Sequence, residues 1–64
     1  MKKYLLKHSV INDEISLTEN VLTLENNYYI VESFLMLRSD HSVISTMRKA
    51  FSSYEEAKQY TLET

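Results

Sequence analysis

The sequence predicts an α+β fold, a short antiparallel β-meander of three to four strands followed by a C-terminal α-helix. Three observations lead there. Runs rich in β-branched and aromatic residues recur through residues 2–51. Clusters of Asn, Asp and Ser separate them, in a chain with no Gly and no Pro. The segment AFSSYEEAKQY, residues 50–60, then carries the spacing of a helix start. The whole chain of 64 residues reads as a single small domain, 1–64.

The first strand is expected near 2–11 (KKYLLKHSVI). Simple alternation puts Tyr4, Leu6, His8 and Val10 on one face and Leu5 and Ile11 on the other. Asn12, Asp13 and Glu14 form the following turn cluster. Residues 15–25 carry two signals: Ser16 and Glu19 have capping-box spacing, whereas Val21–Leu24 is a β-rich run. A strand near 20–25 fits best, with Asn26-Asn27 as a tight turn, because Asn accepts positive φ best among the residues present. The next strand, near 28–38 (YYIVESFLMLR), is the firmest in the chain, and Ser39-Asp40-His41-Ser42 turns it back.

Residues 42–51 can be read as a helix, with Val43, Ile44, Met47, Ala50 and Phe51 on one stripe, or as a fourth strand. Pairing about an Asp40-His41 centre favours the strand. It sets Leu37 opposite Ile44, Leu35 opposite Thr46, Phe34 opposite Met47, Glu32 opposite Lys49 and Ile30 opposite Phe51, with apolar meeting apolar and a cation meeting an anion. The helix is expected near 53–63, capped by Ser52 with Glu55 or Ser53 with Glu56, with Glu55 and Glu56 at the positive end of its dipole. Its apolar stripe is thin: Tyr54, Ala57, Thr61 and Leu62, with Tyr60 at the edge.

Such a helix covers part of one sheet face, yet the expected register gives two apolar faces. One carries Ile30, Phe34, Met36, Val43, Met47 and Phe51; the other carries Tyr29, Val31, Leu35, Leu37, Ile44 and Ala50. The surplus apolar surface calls for a partner. A chain this small is marginal alone, and without cysteine it has no disulfide to staple it. Five Tyr and three Met are of the kind enriched at interface centres. Phe34, Met36 and Met47 are therefore the expected contact centre, with Tyr28, Glu25 and Glu32 beside it. The partner is another protein, and a homodimer about a two-fold axis is the simplest case.

Composition narrows the rest. The lack of Gly removes phosphate-cradling loops, and neither two His nor nine carboxylates show metal-ligand spacing, so no cofactor or metal is expected. His8 and His41 have no nucleophile set beside them by spacing, and the reading is that of a non-enzyme. Lys2, Lys3, Lys7, Arg38, Arg48 and Lys49 with Tyr28, Tyr29 and Phe34 suggest an alternative, a small nucleic-acid-associated regulator. A net charge of −2 argues against it. Asp13, Glu14, Glu19, Glu25 and Glu32 make the middle of the chain acidic, which suits a basic partner. The opening MKKYLLKHSVIN lacks a signal-type apolar core and no run spans a bilayer, so no membrane association and a cytoplasmic location are expected. The Lys, Asn, Ile and Tyr usage, the size and the missing Gly and Pro resemble small proteins of phages and mobile elements. That resemblance implies an inhibitor of a host enzyme, a defence complex or a toxin.

Overall fold

Asn26 and Asn27 set the frame of the sheet. Both take positive φ, 50° and 69°, which is the two-residue hairpin geometry whose twist matches the flanking strands. The computed structural model describes residues 2–63, so Met1 and Thr64 of the expected 1–64 domain lie outside the described residues. Strands β1 (Lys2–Ile11), β2 (Ser16–Glu25), β3 (Tyr28–Leu37) and β4 (Val43–Phe51) precede a helix, α1 (Tyr54–Glu63). The strands form one antiparallel sheet in the order β1-β2-β3-β4. This is the expected meander with its C-terminal helix, and residues 43–51 are strand.

Three details differ from the sequence reading. β2 begins at Ser16 rather than near residue 20, because Ser16–Glu19 pair with β3 on one side and Leu17–Glu19 with β1 on the other. A β-bulge between Tyr4 and Leu6 breaks the alternation of β1. Leu5 and Leu6 therefore both pack toward the core, while Tyr4 shares the opposite face with its partner Thr23.

The third correction is the β3–β4 register. The turn is a longer one: Leu37 N–H donates to Ser42 O (2.9 Å), His41 N–H donates to Leu37 O (2.9 Å), and His41 takes φ 60°. Asp40 Oδ1 accepts from Ser42 N–H at 3.0 Å. With a bulge at Ile44, Glu32 faces Arg48, Phe34 faces Thr46, Ser33 faces Met47 and Tyr29 faces Phe51. The pairing is one residue away from the expected one, and in a strand that shift exchanges faces. Met47 and Phe51 thus join Tyr29, Val31 and Leu35, while Ala50 joins Ile30, Phe34 and Met36.

The helix lies on the first of these faces. Leu22, Val31 and Ala57 form the buried core, with Leu5, Leu6, Tyr29, Phe51 and Tyr60 packed around it. Ser53 O accepts from Ala57 N–H at 3.2 Å, which makes Ser53 the residue at the helix start. Tyr54 meets Tyr29 edge-on at 5.7 Å and Tyr60 meets Phe51 at 5.4 Å between ring centroids. At the other end of the helix, buried Asn20 donates through Nδ2 to the Thr61 carbonyl at 3.2 Å, satisfying an acceptor the helix cannot pair itself. Ten helical residues span about 15 Å against the roughly 33 Å of a ten-residue strand. Part of the helix face and all of the opposite face therefore have no helix over them.

Candidate interaction surface

The registers resolve the open face into rows that run across the strands. At the Asn26-Asn27 end lie Lys2, Glu25 and Tyr28, then Tyr4, Thr23, Ile30 and Ala50. The next row is Lys7, Val21, Glu32 and Arg48, and the next Ser9, Glu19, Phe34 and Thr46. The last row, beside the other two turns, is Ile11, Leu17, Met36 and Val43. It is apolar on all four strands.

Ion pairs cross this face toward its Asn26-Asn27 end, where Tyr4 and Tyr28 are nonetheless 58% and 55% exposed. Arg48 pairs with Glu25 Oε1 through Nη2 and approaches Glu32 Oε2 through Nη1 at 3.9 Å. Lys2 Nζ lies 3.6 Å from Glu32 Oε1, and Lys7 Nζ lies 3.5 Å from Glu19 Oε2. Glu25 is on β2 and Arg48 on β4, so their contact crosses β3, and in this register it crosses at Ile30. The Lys2–Glu32 contact crosses β2 at Thr23 by the same geometry. Ile30 and Thr23 are only 7% and 4% exposed on a face without a helix. Both lie on central strands, and the ion pairs whose paths cross them add long charged stems to the cover their strand neighbours give.

Among the described residues, no such pair crosses the far end. Ile11 is 64% exposed and Val43 52%, with Leu17, Met36 and Phe34 half-buried between them. Ile15 and Ile44 are also exposed nearby in sequence. The turns at this end are tied together. Arg38 donates its backbone N–H to Ile15 O (2.8 Å) and its Nη1 to Asp13 O (2.9 Å). Asp13 Oδ1 accepts from Ile15 N–H (2.8 Å), Ser16 N–H (2.7 Å) and Ser16 Oγ (3.1 Å). Those bonds, the Ser16 backbone bond foremost, hold its carboxyl below the ordinary Asp range. Asp40 is lowered in the same way by Ser42.

Of the six residues singled out by sequence, Phe34 and Met36 belong to this exposed end. Tyr28 sits at the opposite end of the same face, and Glu25 and Glu32 are engaged by Arg48 and Lys2. Met47 is on the other face, where it lines a cleft of about 250 Å³ with Thr18, Ser33, Leu35, Ser45 and Tyr60. The sequence places Val43 on the face of Phe34 and Met36, as the register has it, but does not join Ile11 and Leu17 to them. The signal of the row is present only once three registers are known, because each member is an unremarkable apolar residue on its own strand.

Of the basic residues, Lys2, Lys7 and Arg48 share the open face, each beside a carboxylate, and the others lie elsewhere. Arg48 lies on the open face, Lys49 on the helix face over Phe51 and Tyr60 at 5.4 and 5.2 Å from their centroids, and Arg38 in the turns. Tyr28 and Phe34 share a face that Tyr29 does not. Among the described residues, no group of three or more His, Cys, Asp or Glu is placed to hold a metal ion, and no helix is long and apolar enough to cross a membrane. His8 is on the helix face of β1, opposite Asn20, and His41 is in the β3–β4 turn. No family model, curated protein or solved structure matches the chain.

Proposed function

We propose that this chain is a non-catalytic protein-binding module that docks a partner protein on the open face of its sheet, centred on Ile11, Leu17, Phe34, Met36 and Val43. The observation that carries the reading is the apolar row across all four strands, with no element of the chain packed over it. Burying four such side chains gains roughly 1.5 to 3 kcal/mol each before the costs of association. The cross-tied turns beside the row reduce what has to be ordered on binding. Carboxylates already neutralise Lys2, Lys7 and Arg48, which favours a protein over a nucleic acid. The resemblance to small phage and mobile-element proteins makes an inhibitor of a host enzyme, defence complex or toxin the concrete form of the proposal.

Affinity capture with the wild type beside Val43→Asp tests it, both first shown to melt alike by circular dichroism. A protein held by the wild type and released by Val43→Asp is the expected result. Equal retention by both, or tight salt-sensitive shifting of random DNA or RNA, overturns the reading.

A further inference from the structure

We infer that the free edge of β4 pairs with the β4 edge of a second copy of this chain, antiparallel about a two-fold axis at Met47, to give a continuous eight-stranded sheet. This does not rest on the docking reading above, which uses the open face.

The argument begins with which backbone groups are free. In a two-residue hairpin the flanking residues, here Glu25 and Tyr28, form the hydrogen-bonded pair. Alternation along β3 then turns Tyr29, Val31, Ser33 and Leu35 toward β4. The Leu37 N–H to Ser42 O bond agrees with that assignment. Their partners Phe51, Lys49, Met47 and Ser45 spend their backbone groups on β3. Thr46, Arg48 and Ala50 consequently turn N–H and C=O to the sheet edge, where a strand is the chemistry that satisfies them.

Register selects a second copy. For two β4 edges to bond, outward residues must face outward residues, which restricts the axis to a residue position. An axis at Met47 sets Thr46 opposite Arg48 and Ser45 opposite Lys49, and the bulge at Ile44 ends the regular pairing there. No cation faces a cation. An axis at Arg48 or Lys49 sets like charges against each other, which costs stability. An axis at Thr46 pushes Ala50 and Phe51 into the opposing turn.

The side chains that would guard this edge are drawn away from it. Arg48 reaches inward to Glu25 and Glu32, and Lys49 lies over Phe51 and Tyr60. Met47, at the axis, is 67% exposed. The bulge of β1, at Leu5, falls within the strand, whereas that of β4, at Ile44, falls one residue from its start and leaves the residues around Met47 regular. Pairing through β4 leaves both copies of the row at Ile11, Leu17, Met36 and Val43 uncovered on one side of the enlarged sheet.

Sedimentation equilibrium from micromolar to millimolar concentration tests the inference. The wild type is expected to approach twice the 7.6 kDa chain mass. Thr46→Pro removes an N–H that its own sheet does not use, and Met47→Lys places two ammonium groups at the axis. Either variant should return the monomer mass with an unchanged far-ultraviolet spectrum, and Met47→Lys keeps the test open if the proline variant fails to fold. In a mixed-label sample, interchain NOEs should join Thr46 to Arg48. A monomeric wild type overturns the inference, as does a dimer that survives Met47→Lys but is lost in Phe34→Asp. Ile11→Asp, on the far edge strand, changing captured protein without changing mass separates this result from the docking proposal.

Discussion

The central and edge strands of the open face bear apolar residues of similar size and hold them at opposite degrees of exposure. Ile30, on β3 in the path of the Arg48–Glu25 pair, is buried, whereas Ile11 on β1 and Val43 on β4 stand in solvent. No secondary structure covers either. Two things differ: a central strand has neighbours on both sides, and Arg48 and Lys2 are long enough to cross a neighbouring strand and find a carboxylate, whereas the last row has no such pair. A single-layer face can thus make its own partial cover from ionic side chains, and where it does not, apolar surface remains for another molecule.

The helix-covered core gives the comparison its upper bound. Leu22→Ala, at a fully buried site, should cost about 2–5 kcal/mol in urea denaturation, while Ile11→Ala should stay within about 0.5 kcal/mol. Equal effects would mean that the exposed row is packed in solution. Next in size is Asn20→Ala, expected to cost about 1–3 kcal/mol by leaving the Thr61 carbonyl buried without this donor. Loss of amide protection confined to the last turn of α1 would locate the effect by hydrogen exchange.

Arg48 sharpens the comparison directly. Surface ion pairs contribute about 0–1 kcal/mol and weaken with salt. If its stem is what shelters Ile30, Arg48→Met should retain most of the stability that Arg48→Ala loses, and the remainder should vanish in high salt. Methionine and alanine behaving alike would assign the effect to charge.

The smallest expected effect is at the exposed turn. Asp13 has a folded pKa below its ordinary 3.8, through hydrogen bonds from Ser16 and Ile15. Its contribution is therefore complete above the unfolded value and is lost as pH falls through the folded one. Asp13→Asn should lower stability slightly at neutral pH and flatten the acid limb below about pH 4, so that variant and wild type converge in acid.

Much of the architecture was legible because its causes are local. Asn26-Asn27 is a positive-φ turn by residue type, the helix start follows from Ser53 and Glu56, and the aromatic and β-branched content of Tyr28–Leu37 marks a strand without reference to anything distant. Ser16–Glu19 was harder, since its capping-box spacing supports a helix until strands on both sides claim it. Within the site, Phe34 and Met36 could be named from β3 alone and Val43 was set on their face, but Met47 was assigned to the wrong face and Ile11 and Leu17 were not grouped with them.

The sequence by itself determined the order of elements, the turn chemistry and the presence of more apolar surface than one short helix covers. Only the tertiary structure decided which residues share a face. The bulges at Leu5 and Ile44 and the wide turn at Arg38–His41 shift pairing by single residues, and no periodicity within one strand records the offset of its neighbour. Because side chains alternate with a period of two, such a shift exchanges faces outright. That exchange put Met47 beside Tyr60, brought Arg48 rather than Lys49 over Glu32, and assembled an apolar row from residues contributed by all four strands.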